Sequence, residues 1–513
     1  MSNNQGFVRS LFDSNINPVN RKARNIPILN IMDKYGRAFH LSWLGFFVAF
    51  LSWFAFPPLL HGAIQEDLQL TKAQIANSNI VGLVATLLVR VIVGPLCDRY
   101  GPRLVMVGCL LSGAMATACT PLISNATELI IIRFFVGILG GTFVPCQVWT
   151  SQFFDKNIVG LANALAAGWG NAGGGATFFL MPAIVSLLMS KYGFSQYWAW
   201  RMAFPMCPLV LIVCIAILTL IFGDDTPNGS WSSRHKHRIA KTVSSDVADE
   251  TINANDQFER ASMIASSSPS VEKSIGLSLD HEPPLANKES EKKRDFIDVK
   301  VVEIEDEVPQ APSVPDILKV ALSWQTLLVS LPYLCSFGSE LAVEGVISDF
   351  YVQAAKISNN IVWDSQTAGK WAAVFGLLNV ITRPLGGYIS DLLYQSKGLN
   401  AKKWWLIFLG VMQGIFFISI GVMNLKIYYL IGAMTGLAIF MEAANGAIFS
   451  LVPSIHPKFN GVVSGFAGAA GNMGGILFGL VFRFQGTDYQ TALWIIGVSC
   501  LGANLGVSWI SVR

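Results

Sequence analysis

The chain has 513 residues, 52% of them hydrophobic and only 13% charged, and its mean hydropathy is +0.48. That balance excludes a string of soluble domains, because apolar runs of roughly 20 residues, long enough to cross a bilayer, recur along most of the length. The formal net charge of +3 excludes little, and the 8 cysteines, scattered mostly inside apolar runs, form neither a ligand spacing nor a disulfide framework.

Residues 1–38 read as a polar tail carrying Arg9, Arg21, Lys22, Arg24, Lys34 and Arg37. No short apolar region of a cleaved signal peptide follows it. Basic residues beside a first span place a tail in the cytoplasm. Spans are expected at about 39–60, 77–97, 104–123, 128–151, 159–188 and 200–222. Residues 223–318 are polar and rich in Ser, Glu, Asp, Lys and Pro, and are read as a mainly disordered loop. Ser244, Ser245, Ser262, Ser266, Ser267 and Ser268 lie there near basic residues or Pro269, where kinases could add charge. A second set of spans follows near 323–350, 368–394, 403–424, 427–451, 461–483 and 490–511. The expected class is therefore an all-α polytopic membrane protein with twelve transmembrane helices in two six-helix bundles, 39–222 and 319–513. Its N-terminus, central loop and C-terminus share the cytoplasmic side. Arg99, Arg103, Lys156, Lys397, Lys402, Lys403 and Lys458 then fall in inside loops, against a sparser Lys72, Lys191, Lys356 and Lys426 outside.

The two halves repeat one pattern. Arg90-x3-Gly94-x3-Asp98 in the first returns as Arg383-x3-Gly387-x3-Asp391 in the second. Ala167-Gly-Trp-Gly-Asn-Ala-Gly-Gly-Gly175 returns as Gly468-Ala-Ala-Gly-Asn-Met-Gly-Gly475, so Asn171 corresponds to Asn472. Repeated halves built of apolar helices mark a secondary transporter with its site between the halves. Arg90 stands eight residues from Asp98, roughly 12 Å deeper at 1.5 Å per residue. A charge at that depth costs about 2.5 kcal/mol or more. Either a carboxylate on another helix pairs with it, or it faces a wet cavity and binds an anion. Two arginines at equivalent places favour the central anion site. The guanidinium's planar fork of donors suits a planar oxyanion. Gly170, Gly173, Gly174, Gly471, Gly474 and Gly475 read first as close helix packing, and each Asn as an amide that can donate to the anion or across a helix interface. No nucleotide loop, metal cluster or nucleophile triad is evident, which points away from an enzyme, from any cofactor and from nucleic acid.

Gly94-Pro-Leu-Cys-Asp98-Arg99-Tyr-Gly101-Pro-Arg103 resembles the loop motif of the major facilitator superfamily, whose acid and arginines hold neighbouring helix ends. The second half keeps Gly387 and Asp391 without the basic residues. With the paired Gly-Asn-x-Gly-Gly stretches and the two arginines, the chain resembles the nitrate/nitrite porter family, and its long central loop the fungal and yeast high-affinity nitrate transporters. The likeness covers the twelve spans. It implies that Arg90 and Arg383 clamp the anion with Asn171 and Asn472 as supporting amides. In Tyr333-Leu-Cys-Ser-Phe337-Gly-Ser339 it implies a hydroxyl donor from Tyr333 and a wall from Phe337. Phe143, in Gly141-Thr-Phe143, is a further wall, and Phe47 is a weaker match. The implied protein imports nitrate across the plasma membrane with protons. Nitrite uptake, nitrate/nitrite exchange and a nitrate sensor signalling through the loop are its rivals. Glu442 is the one carboxylate deep in the tenth span. Glu340 and Glu344 continue the Tyr333–Phe337 stripe toward the outside, and these three are the candidates for proton coupling.

Overall fold

A computed structural model describes residues 9–18, 20–233, 311–359, 363 and 365–512. The chain forms two compact units. One comprises Met1–Pro227 with Pro309–Arg513, and the other Asn228–Val308. Of the second only Asn228–Ser233 is described, ending in a single 3₁₀ turn, Trp231–Ser233. The loop serines from Ser244 to Ser268 and most of the polar segment lie outside the described residues.

Among the described residues, twelve helices of the first unit are long and apolar enough to cross a membrane. They are α1 Lys34–Leu59, α2 Ala73–Tyr100, α3 Pro102–Leu122, α4 Ala126–Phe153, α5 Val159–Ser190 and α6 Gln196–Phe222, then α7 Trp324–Glu344, α8 Thr367–Lys397, α9 Leu399–Val422, α10 Ile427–Ile455, α11 Pro457–Gln485 and α12 Tyr489–Val507. The polar residues between the apolar runs set the ends. Asp33 accepts from Tyr35 N at the start of α1, Ser323 from Thr326 N at the start of α7, and Asp488 from Thr491 N at the start of α12. Gly101, at φ 92°, turns α2 into α3 in a conformation that a side chain would strain, and Pro102 follows at the first helical position. The outer faces are apolar: Ile217, Leu220, Ile221 and Phe222 of α6 stand exposed, as they must where the surroundings are hydrocarbon. The seventh span is shorter than the sequence suggests. It stops at Glu344, and beyond Gly345 a separate amphipathic helix runs Ile347–Asn359, since Asp349 and Lys356 put charge on one of its faces.

The polar N-terminal segment is tied to the bundle. Ala23 pairs with Phe153 and Asp155 through backbone bonds of 2.9 Å, and Asn17 and Asn20 donate to Asp155 at 2.7 and 3.1 Å. Partial burial works to raise the Asp155 carboxyl, but these donors and those of Asn157 outweigh it and hold the group below its usual range.

Glycines bring the two halves together. A Cβ on Gly94 of α2 would stand 2.4 Å from the Gly461 carbonyl of α11, and one on Gly387 of α8 the same distance from the Gly160 carbonyl of α5. Helix backbones approach this closely only where both partners lack side chains. The two crossings are equivalent in the two halves, and both lie at one end of the bundle.

Candidate functional site

The crossings bring the acids of the repeated motif to helix starts. Asp98 accepts from Gly461 N at 2.8 Å and Val462 N at 3.0 Å, at the beginning of α11. Asp391 accepts from Gly160 N at 3.2 Å and Leu161 N at 2.8 Å, at the beginning of α5. Each carboxylate thus satisfies orphan N–H groups of a helix in the opposite half and sits at the positive end of its dipole. Lys402 of α9 pairs with Asp391 at 2.8 Å, supplying in space the cation that the second motif lacks in sequence. Arg103 bonds the Gly223 carbonyl at 2.8 Å and lies 3.5 Å from Asp225, while Arg99 rests over the ring of Tyr100. Arg103 thus braces the first half.

One layer deeper, Arg90 of α2 and Arg383 of α8 are both fully buried. Among the described residues neither forms an ion pair. Arg90 Nε donates to the Gly140 carbonyl and its NH1 to the Gly468 carbonyl, each at 2.9 Å, while NH2 has no hydrogen-bond partner. Gly140 lies where α4 tightens into a 3₁₀ stretch, Gly137–Thr142. Arg383 NH2 reaches Tyr333 Oη at 3.4 Å, and its Nε and NH1 have no partner. Phe143 lies between the two, its ring centre 4.8 Å from Arg90 Cζ and 5.7 Å from Arg383 Cζ. Aromatic faces favour cations but do not discharge them, so both guanidiniums keep donors to spare.

The surrounding walls are aromatic. Tyr333 and Phe337, one turn apart on α7, stack at 5.1 Å, and Phe143 lies parallel to Tyr333 at 6.1 Å. Phe449 of α10 meets Phe143 edge-on at 4.7 Å and Tyr333 at 5.0 Å. Phe449 is not among the residues expected above, although Gly140-x2-Phe143 has a second copy in Gly446-x2-Phe449. In the first span Phe46, rather than Phe47, lies beside Phe143. Phe46 is fully buried with its ring 5.4 Å from Phe143, whereas Phe47 is half-buried against Trp43. Gly170 makes room for Phe46, since a Cβ there would stand 2.0 Å from the ring. Gly173 and Gly174 do the same for the backbone of Phe47 and the ring of Phe54. In the second half Gly471 seats Tyr333 and Phe337, Gly474 meets the Leu334 carbonyl, and Gly475 meets Leu341.

The two asparagines are not equivalent. Asn472 is buried and donates at 3.0 Å to the Gly468 carbonyl, the same atom that Arg90 uses, so it bears on the anchor of the arginine. Asn171 is half-buried and its enclosed Oδ1 has no partner. The carboxylates also differ from the sequence reading. Glu340 is not at an open vestibule but buried, with one oxygen receiving Asn379 Nδ2 and the other Asn445 Nδ2 at 2.6 Å. Glu442 is fully buried against Thr382, the residue before Arg383. Glu344 is half-buried and faces Gly376. Among the described residues none of the three forms an ion pair, and no cluster of His, Cys, Asp or Glu could hold a metal.

Residues 42–302 match the Major Facilitator Superfamily. The chain is 31% identical to a high affinity nitrate transporter (2.5) of Arabidopsis thaliana over 95% of its length and 82% of that protein's. It is also 31% identical to Elsinochrome transporter 1 of Elsinoe fawcettii, covering 96% of both chains. Among solved structures, the E. coli fucose:proton symporter superposes with a TM-score of 0.55 at 12% identity, over 93% of this chain and 98% of that one.

Proposed function

This chain belongs to the Major Facilitator Superfamily and, within it, to the nitrate/nitrite porter family, and we propose that it carries nitrate inward across the plasma membrane together with protons. It is a multi-pass membrane protein of a transporter family, not an enzyme. Since relatives of equal likeness bear different cargo in their names, the choice of cargo rests on the site. The observation that carries it is the pair of buried guanidiniums, one from each half, which among the described residues form no ion pair and leave Arg90 NH2, Arg383 Nε and Arg383 NH1 unmatched. Tyr333 Oη accepts from Arg383, which leaves its own proton free to donate. Unmatched donors on two guanidiniums and a hydroxyl, set among aromatic faces, suit a compact planar oxyanion. The site lies between the halves, and the Asp98 and Asp391 contacts close one end, so access alternates as the halves rock.

Orientation follows the basic residues. Arg99, Arg103, Lys156, Lys397 and Lys458 gather at the Asp98 end, which supports placing that end, with both termini and the polar segment, in the cytoplasm. The energetics require coupling. An interior negative by 100 mV opposes each anion by about 2.3 kcal/mol, so nitrate alone would be driven out. One proton per nitrate makes the cycle neutral, and two make it net positive so that voltage assists. Nitrate uptake into proteoliposomes that contain only this protein, with pH and voltage varied separately, tests the reading. Inward positive current that grows with external acidity is expected. Uptake driven one-for-one by internal nitrite without pH dependence would replace symport by exchange. Binding without any flux would make the protein a sensor.

A further inference from the structure

The buried carboxyl groups beside Arg383 carry a hydrogen-bond pattern that distinguishes them. Thr382 Oγ1 lies 2.5 Å from Glu442 Oε2 and 2.9 Å from the Leu378 carbonyl one turn earlier on α8. A hydroxyl has one proton to give, and a carbonyl oxygen can only accept. If Thr382 serves Leu378, the contact with Glu442 holds a hydrogen only when the carboxyl supplies it. Glu442 Oε1 meanwhile has no partner. Glu340 is the opposite case. Asn379 and Asn445 turn an N–H onto each of its two oxygens, and both amides leave their Oδ1 without a donor. Glu340 is thus served as an ionised acceptor, whereas one proton on Glu442 supplies the donor that its contact with Thr382 lacks.

The charged groups that face Glu442 are Glu340 and Glu344 of α7 and Arg383 of α8. On α9 the charged residues are Lys402 and Lys403, at the Asp391 end. On α5 there is none, and Lys370 of α8 is exposed. Two adjacent buried carboxyl groups with a single guanidinium near them cannot both be ionised without a large cost.

We propose that Glu442 is the residue that takes up the transported proton, with Thr382 accepting its O–H, and that its charge decides whether Arg383 is free to hold the anion. The step is a protonation. The Glu442 carboxylate and one H⁺ give the carboxylic acid, the O–H donates to Thr382 Oγ1, and release is the reverse. Ionised Glu442 adds a second negative charge beside Arg383 and draws its unmatched Nε and NH1 away from the anion. Protonated Glu442 leaves them to it. The backbones are locked together here, since a Cβ on Gly446 would stand 2.0 Å from the Arg383 carbonyl, so a shift at Glu442 is felt at Arg383. Proton and anion therefore load together, as symport needs.

This inference rests on the transport reading, and the test separates the two. Nitrate binding by the purified protein is measured across pH, and nitrate accumulation in proteoliposomes with and without a pH gradient. In the wild type, nitrate affinity should fall with rising pH, at the limit by about tenfold per unit once Glu442 ionises. Glu442→Gln, which stays neutral like the acid, should show a flat pH profile and lose accumulation driven by the pH gradient while nitrate-for-nitrate exchange remains measurable. Thr382→Val should move the pH profile toward acid, and Thr382→Ser should restore it. Wild-type pH dependence and accumulation in Glu442→Gln would overturn the assignment alone. No nitrate binding by the wild type at any pH would overturn the transport reading and this inference with it.

Discussion

Replacing each arginine by lysine keeps the charge and removes the fork, and the structure orders the two losses. Arg90 already spends Nε and NH1 on the Gly140 and Gly468 carbonyls, which leaves NH2 for a ligand. A lysine there can serve the anion only by giving up one of those carbonyls. A hydrogen bond to a charged group is worth about 1.5–3 kcal/mol, so Arg90→Lys should raise the dissociation constant for nitrate about 10- to 150-fold. Arg383 has two unmatched donors, Nε and NH1, on either side of the NH2 that makes a long contact to Tyr333. Arg383→Lys loses the fork itself and the Tyr333 anchor, so its loss should equal or exceed that of Arg90→Lys. Equilibrium binding of nitrate to purified variants in lipid nanodiscs, alongside thermal unfolding to confirm that each is folded, reads both. Near wild-type affinity in either variant would refute the clamp. A folded Arg383→Lys that binds better than Arg90→Lys would refute the donor count.

Tyr333→Phe keeps the stacked ring and removes the hydroxyl, and is expected to raise the apparent Michaelis constant for nitrate about tenfold or more with little change in expression, since one charged hydrogen bond is lost; unchanged kinetics in an uptake assay would take Tyr333 out of contact with the anion. Phe46→Ala should be far more damaging than Phe47→Ala, because Phe46 is fully buried against Phe143 and an emptied aromatic site costs about 3–5 kcal/mol; thermal unfolding midpoints and nitrate affinity of the two variants compare them directly.

The arginine pair and the twelve spans were legible because a charge inside an apolar run and a repeat across halves are one-dimensional signals. Phase within a span was not. Phe46 and Phe47 are chemically identical, and α1 is apolar nearly all round, so hydropathy cannot choose which ring faces Phe143. Phe449 was missed for want of a charge to draw attention to it. Glu340 lay on the expected stripe of α7, but its burial depends on Asn379 and Asn445 arriving from α8 and α10, pairings separated by 39 and 105 residues. Lys402 likewise completes the second acidic motif from the next helix, eleven residues on. What sequence could not supply was the set of contacts between helices.

On the proposed clamp, the reason for taking one arginine from each half follows from their separation. Both Cζ atoms lie near one ring centre, at 4.8 and 5.7 Å, so they can be no more than 10.5 Å apart. At an effective dielectric of about 20 their repulsion is at least about 1.5 kcal/mol, and it acts between the two halves. An empty site therefore resists drawing the halves together at this level. In the proposed cycle one bound anion would turn that repulsion into two attractions and favour closing the open end over it. The other end opens only when Asp98 and Asp391 release four N–H groups of α11 and α5. That release does not strand Asp391, since Lys402 lies in the same half and moves with it. A charge left buried and alone would cost several kcal/mol and block the cycle. The occupant thus biases one end through the arginines, while the pairing of Asp391 keeps the other end able to part, and both are required for a carrier that opens to one side at a time.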